Sequence, residues 1–112
     1  MTKIDIPMDI YESAKELVVV IPLAGVDKKS LDMRMDDYRL ILKGMRNQPK
    51  LKDDLMSVRW DCYRGEFTQV IDLPVGVYLD RIHSKITADN ILMIIVPKII
   101  APDKIKVEIE MW

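Results

Sequence analysis

Apolar and polar positions alternate with a period of two in several short stretches of this chain. In "LDMRMD", Leu31, Met33 and Met35 fall on one face and Asp32, Arg34 and Asp36 on the other, the pattern of a strand with one covered and one solvated face. "DIYES" alternates over a short span. "ELVVVIPL" is β-branched and nearly all apolar, as expected of a strand covered on both sides. "RLILKG", "VRWDCY", "EFTQVIDL", "RIHSKI" and "ILMIIVP" also read as strands. "AGVDKKS", "DDY", "RG" and "TADN" are breaks or turns, and "LPVGVYLD" is a connection. "MRNQPKLKDDLMS" has no clear period and holds Pro49, so it reads as a long loop. No stretch carries a convincing amphipathic helix, and neither a repeat nor a low-complexity segment is visible. Short strands at roughly ten-residue spacing predict an all-β fold, an antiparallel immunoglobulin-like β-sandwich.

The last residues, "PDKIKVEIEMW", continue the alternation: Ile105, Val107, Ile109 and Met111 against Lys106, Glu108 and Glu110. Termini are usually the polar, poorly ordered part of a domain. An apolar stripe there predicts a segment that covers something.

Composition narrows the functional classes. The 112 residues make one domain, and 17 basic against 18 acidic residues leave a net charge of -1. So balanced a surface argues against a nucleic-acid partner, which calls for a basic surplus. No apolar run approaches the roughly 20 residues of a membrane helix, and "MTKIDIPMDI" lacks a signal-peptide core. The expectation is a soluble, cytoplasmic protein with no membrane partner. The single cysteine, Cys62, forms no internal disulfide and fits a reducing compartment. As a residue of a predicted strand it is expected to be a small buried apolar group rather than a reactive thiol. Eight methionines suit either ordinary core filling or adaptable binding surfaces.

No catalytic constellation emerges. His83 and Cys62 lie in separate predicted strands, and nothing orients them as a nucleophile pair. Alone they do not make a four-ligand zinc site. Four glycines form no phosphate-binding loop. The carboxylate pairs at 36–37 and 53–54 stand beside turns or loops, as solvated turn residues do. A non-enzyme without cofactor or metal is expected.

Several stretches together resemble the α-crystallin domain of the small heat-shock proteins. "PMDIYESAKELVVVIPLAGVDKKSLDMRM" is similar to that family's opening, with Ala24 where proline is common. "RLILKG" resembles the next strand. In "VRWDCYRGEFTQVIDLPVGV", Arg59, Asp61, Gly65, Phe67, Leu73, Pro74, Gly76 and Val77 fall on the positions of R-x-E-R-x-x-G-x-F…L-P-x-G-V. "DNILMIIVPK" resembles N-G-V-L-x-V-x-x-P-K, and the tail resembles an I-x-I/V anchor. Cys62 stands where the family usually has arginine. Asn90 replaces a hairpin glycine, and asparagine tolerates the left-handed conformation that such a turn requires.

The resemblance implies three segments: a short N-terminal arm at 1–7, where members usually carry a long one, the sandwich at 8–98, and an anchor-bearing tail at 99–112. It implies a groove between two edge strands, lined by Leu31, Met33 and Met35 on one side and Ile82, Ser84 and Ile86 on the other. Ile105 with Val107, or Val107 with Ile109, would be the knobs, docked either in a neighbouring subunit or back on their own chain. Burying two aliphatic side chains, on the order of 200 Å², yields about 3–5 kcal/mol before the entropy of ordering the tail. "KIDIP" near the start also spells I-x-I and is a second candidate for that slot, although it also leads into the first strand. The long loop is implied to pair with a partner's first strand, giving a homodimer contacted through Leu51, Leu55, Met56, Arg59, Asp61, Ile10 and Tyr11. The implied function is an ATP-independent holdase for partly unfolded client proteins, with higher homo-oligomers built through the tail. The alternative is a co-chaperone-like module of the same fold that binds one defined partner.

Overall fold

A computed structural model describes residues 6–100 and 106–111. It contains seven strands: β1 (Asp9–Glu12), β2 (Glu16–Pro22), β3 (Asp32–Asp36), β4 (Arg39–Arg46), β5 (Gly65–Asp72), β6 (His83–Ile86) and β7 (Ile91–Pro97). They form two antiparallel sheets, one ordered β1-β2-β7-β6 and the other β3-β4-β5. The only helical pieces among the described residues are two 3₁₀ turns, Lys28–Ser30 and Leu79–Arg81.

Alternation sets the packing. Leu17, Val19 and Ile21 of β2 and Leu92, Ile94 and Val96 of β7 point inward and are buried. Leu40 and Leu42 of β4 and Phe67 and Ile71 of β5 meet them from the facing sheet. The outward residues Val18 and Val20 are only half-buried, so β2 is not covered on both faces as its apolar run suggested. β1 and β7 flank it within its own sheet instead.

Turn chemistry follows the sequence. Asn90 adopts φ 61° and closes the β6–β7 hairpin, its N–H donating to the Thr87 carbonyl at 3.0 Å. Asp37 takes φ 56° between β3 and β4. The Asp27 carboxylate caps the first 3₁₀ turn by accepting the Lys29 N–H at 3.0 Å.

Two expectations fail at "VRWDCY". Residues 58–63 form no strand, and the irregular segment between β4 and β5 runs from 47 to 64. Alternation makes a strand only where a neighbouring backbone supplies the ladder, and none of the described residues does so here. The segment closes short local contacts instead. Trp60 Nε1 donates to the Cys62 carbonyl at 2.6 Å, and Arg59 pairs with Asp61. Cys62, expected to be buried, is therefore exposed.

Candidate functional site

Inward-facing side chains are covered only where the opposite sheet reaches them. Ile6, just before β1, belongs to the core, and its N–H donates to Gln69 Oε1 on β5 at 2.9 Å. This contact places β5 near the chain that enters β1.

Both β3 and β6 are edge strands. Met33 pairs with Leu42 and Met35 with Leu40, so both methionines share the inward face. Ser84 pairs with Ile94 and Ile86 with Leu92, which gives β6 the same inward parity. Leu31, Met33, Met35 and Ile82 pack against the core yet stay half-exposed, and Ser84 and Ile86 are exposed. Of the six positions named from the sequence, Met33, Met35, Ser84 and Ile86 lie on these edge strands with inward parity, and Leu31 and Ile82 immediately precede them. None of the seven described methionines is fully buried, so the core-filling role falls to Leu, Ile, Val and Phe.

The tail lies apart from these edges in chain order. Val107 and Ile109 are 78% and 87% exposed, in a stretch without regular structure. Residues 106–111, expected to alternate as a strand, form none, because no neighbouring backbone among the described residues pairs with them. Ile105 lies outside the described residues, as does Ile4 of "KIDIP". The Ile6 of that motif sits against Gln69 rather than against β3 and β6.

The residues named for a dimer contact group into two sets. Ile10 and Tyr11 lie on β1, the outermost strand of its sheet, and both are exposed. Leu51, Leu55 and Met56 lie in the 47–64 segment, also exposed, and Arg59 and Asp61 engage each other there. The sequence reading missed Val58 at 99% and Trp60 at 64% exposure, because both were assigned to a strand. It also missed Gln69. A polar residue between inward-facing Phe67 and Ile71 signals a buried group that needs a partner, and Ile6 supplies it.

Among the described residues no group of three His, Cys, Asp or Glu side chains is placed to hold a metal ion. Nor is any described helix long and apolar enough to cross a membrane.

Comparison with known proteins gives a consistent picture. The Hsp20/alpha crystallin family model matches residues 9–110. A 17.9 kDa class II heat shock protein of Helianthus annuus is 27% identical over 98 residues, covering 87% of this chain and 61% of that protein. Small heat shock protein C4 of Rickettsia felis is 30% identical over 90 residues, 80% of this chain and 55% of that protein. The chain thus spans about 55–61% of the length of these curated relatives. A small heat-shock protein from Xylella fastidiosa, whose crystal structure is described as revealing a distinct high order structure, superposes with a TM-score of 0.76 at 23% identity. That superposition covers 97% of this chain and 99% of the other.

Proposed function

Because this chain belongs to the Hsp20/alpha crystallin family, we propose that it acts as an ATP-independent holdase that binds partly unfolded proteins and limits their aggregation. The observation that carries this reading is the pair of open edges, where Met33, Met35 and Ile86 face the core side without full cover. Capture by apolar burial needs no nucleotide. Methionine side chains adapt to unrelated sequences because they are unbranched and polarizable.

The 47–64 segment pairs with β1 of a second copy and forms the homodimer. It has the length for this, it has no strand partner among the described residues, and it carries Leu51, Leu55, Met56, Val58 and Trp60 exposed. Val107 and Ile109 dock between β3 and β6 of a neighbouring chain and extend the assembly. Each docking is weak alone and is strengthened by multivalency. The folding unit is the sandwich at 8–98 together with Ile6, which belongs to its core, and 99–112 is the linker-and-anchor segment.

The test is light scattering of a heat-aggregating model protein with and without this chain. Suppression at near-stoichiometric ratios supports the holdase. Unchanged scattering, together with tight one-to-one binding of a single protein, supports the module that serves one partner.

A further inference from the structure

The neck of the long segment holds an unusual pair of charges. Arg46 is the last residue of β4, Arg64 immediately precedes β5, and Arg46 lies opposite Gly65 in the ladder. Both arginine side chains approach Gly25, which adopts φ 77°. A Cβ added there would lie 3.5 Å from Arg46 Cγ and 3.9 Å from Arg64 Nη1. The left-handed backbone favours glycine here, whereas the distances to the two arginines are ordinary contacts.

The two arginines line a cavity of about 530 Å³, together with Ile6, Ala24, Gly25 and Cys62 among others. That size falls within the range of small-molecule sites, roughly 300–1,000 Å³. Among the described residues no ion pair engages Arg46 or Arg64. The ion pairs among the described residues join Arg34 to Asp32, Arg39 to Asp72, Arg59 to Asp61 and Lys98 to Glu12. Asp61 also lines the cavity, but Arg59 already holds its carboxylate. Arg46 Nε is buried and has no hydrogen-bond partner. A buried charged donor without an acceptor is costly, and such groups are rare in folded proteins.

We propose that Arg46 and Arg64 together bind an oxyanion, the phosphate or carboxylate head of a small molecule, at the neck of the 47–64 segment. The planar, forked guanidinium matches both groups. The oxyanion accepts from the guanidinium ends that line the cavity and offsets two like charges. The apolar wall of Ile6, Pro22 and Ala24 takes the body of the molecule. Bridging the two stems also clamps the segment. That consequence rests on the dimer reading above, whereas the binding itself does not.

Cys62 lines the same cavity and is the only cysteine in the chain, so its reactivity is a local reporter. Inorganic phosphate and acetate are titrated against the intact chain, with chloride at matched ionic strength as control. Binding is followed by calorimetry and by the rate at which a neutral aromatic disulfide labels Cys62. The expected result is saturable, several-fold slower labelling with phosphate or acetate and none with chloride. Saturation by phosphate alone identifies a phosphate head, and saturation by acetate as well admits a carboxylate. Arg46→Gln and Arg64→Gln should each abolish saturation while keeping β-type circular dichroism. If Arg46→Gln unfolds, the half-exposed Arg64 provides the decisive variant. Equal slowing by chloride, or saturation that survives in Arg64→Gln, overturns the site. Light scattering with and without phosphate then separates the two readings. Anion binding without a change in dimer population removes the clamp and keeps the site, and a chain that never dimerises removes only the dimer reading.

Discussion

Replacing Gly44 by alanine tests how the small sheet packs beneath the open edge. Gly44 lies on the inward side of β4, opposite Phe67 in the ladder. A Cβ built there would stand 2.7 Å from Phe67 Cζ, 2.9 Å from Phe67 Cε2 and 3.0 Å from Leu31 Cδ2. Side-chain carbons do not approach to such distances, so a neighbour must move. Phe67 is 1% exposed and enclosed by the core, whereas Leu31 is half-buried at the edge and yields more easily. Overpacking of a well-filled core costs about 1–3 kcal/mol. Glycine is the entropically poorer strand residue, so alanine returns roughly 0.5–1 kcal/mol. Taking the middle of each range, the net expectation is a loss of about 1 kcal/mol, which lowers Tm by roughly 4–8 °C for a domain of this size. The assay is thermal and urea unfolding at one fixed protein concentration, because association makes Tm concentration-dependent. A double-mutant cycle with Phe67→Leu locates the strain. The leucine should cost less in the alanine background, with a coupling of about 0.5–3 kcal/mol. A Tm that is unchanged or raised by Gly44→Ala, or additive behaviour in the cycle, would refute the steric argument.

Three further outcomes are expected. Deleting residues 47–56 should leave the sandwich folded and give monomers by multi-angle light scattering, and dimers that persist unchanged would sink the exchange of that segment. Cys62, exposed in the irregular segment, should react with a neutral thiol reagent in native buffer at a rate approaching that of the unfolded chain, and labelling only upon denaturation would contradict its placement. Replacing Ile105, Val107 and Ile109 together by glycine should preserve β-type circular dichroism and the dimer while removing any larger assembly. Dye binding at the freed edges should then rise, and unfolding of this variant would make the tail an integral part of the core.

The strands were legible in the sequence wherever alternation met a covering sheet. β3 and β4 follow from "LDMRMD" and "RLILKG", and β7 from "ILMIIVP", because each has a lateral neighbour and an inner face to bury. "VRWDCY" has the same alternation without a lateral neighbour, and it is irregular. A period of two reports what a segment can do when paired and carries no information about whether a pair is available. The misplacement of Cys62 follows from that one missing ladder. The candidate edges were legible as parity, since Met33, Met35, Ser84 and Ile86 fall on the inward side by counting alone. Their degree of cover was not, because it depends on how far the opposite sheet extends. The juxtaposition of Arg46 and Arg64 was hidden for a different reason. They are 18 positions apart in the chain, and come to line one cavity because β4 and β5 pair up to the neck of the 47–64 segment.

The two inter-sheet ends of the sandwich are treated differently, and this difference bears on which of them is free to bind. Both "KIDIP" and the C-terminal stripe carry aliphatic residues at a spacing of two, and by pattern either fits an inter-sheet slot. Chain connectivity separates them. Ile6 stands three residues before β1, so it reaches only the end bounded by β1 and β5. There the buried Gln69 side chain accepts its backbone N–H, and Ile6 itself is only 5% exposed. That end is filled from within by a contact that combines a hydrogen bond with full apolar burial, so a passing segment would have to displace both. At the β3 and β6 end, the inward positions are methionine, serine and isoleucine with no comparable plug among the described residues. The tail leaves β7 at Pro97, and its linker spans both described and undescribed residues before Val107. A knob that arrives late on a long linker exchanges readily, whereas one that arrives three residues before its strand does not. On the proposed function, tail and client compete along the β3 and β6 edges, while the Ile6–Gln69 contact holds the β1–β5 side closed.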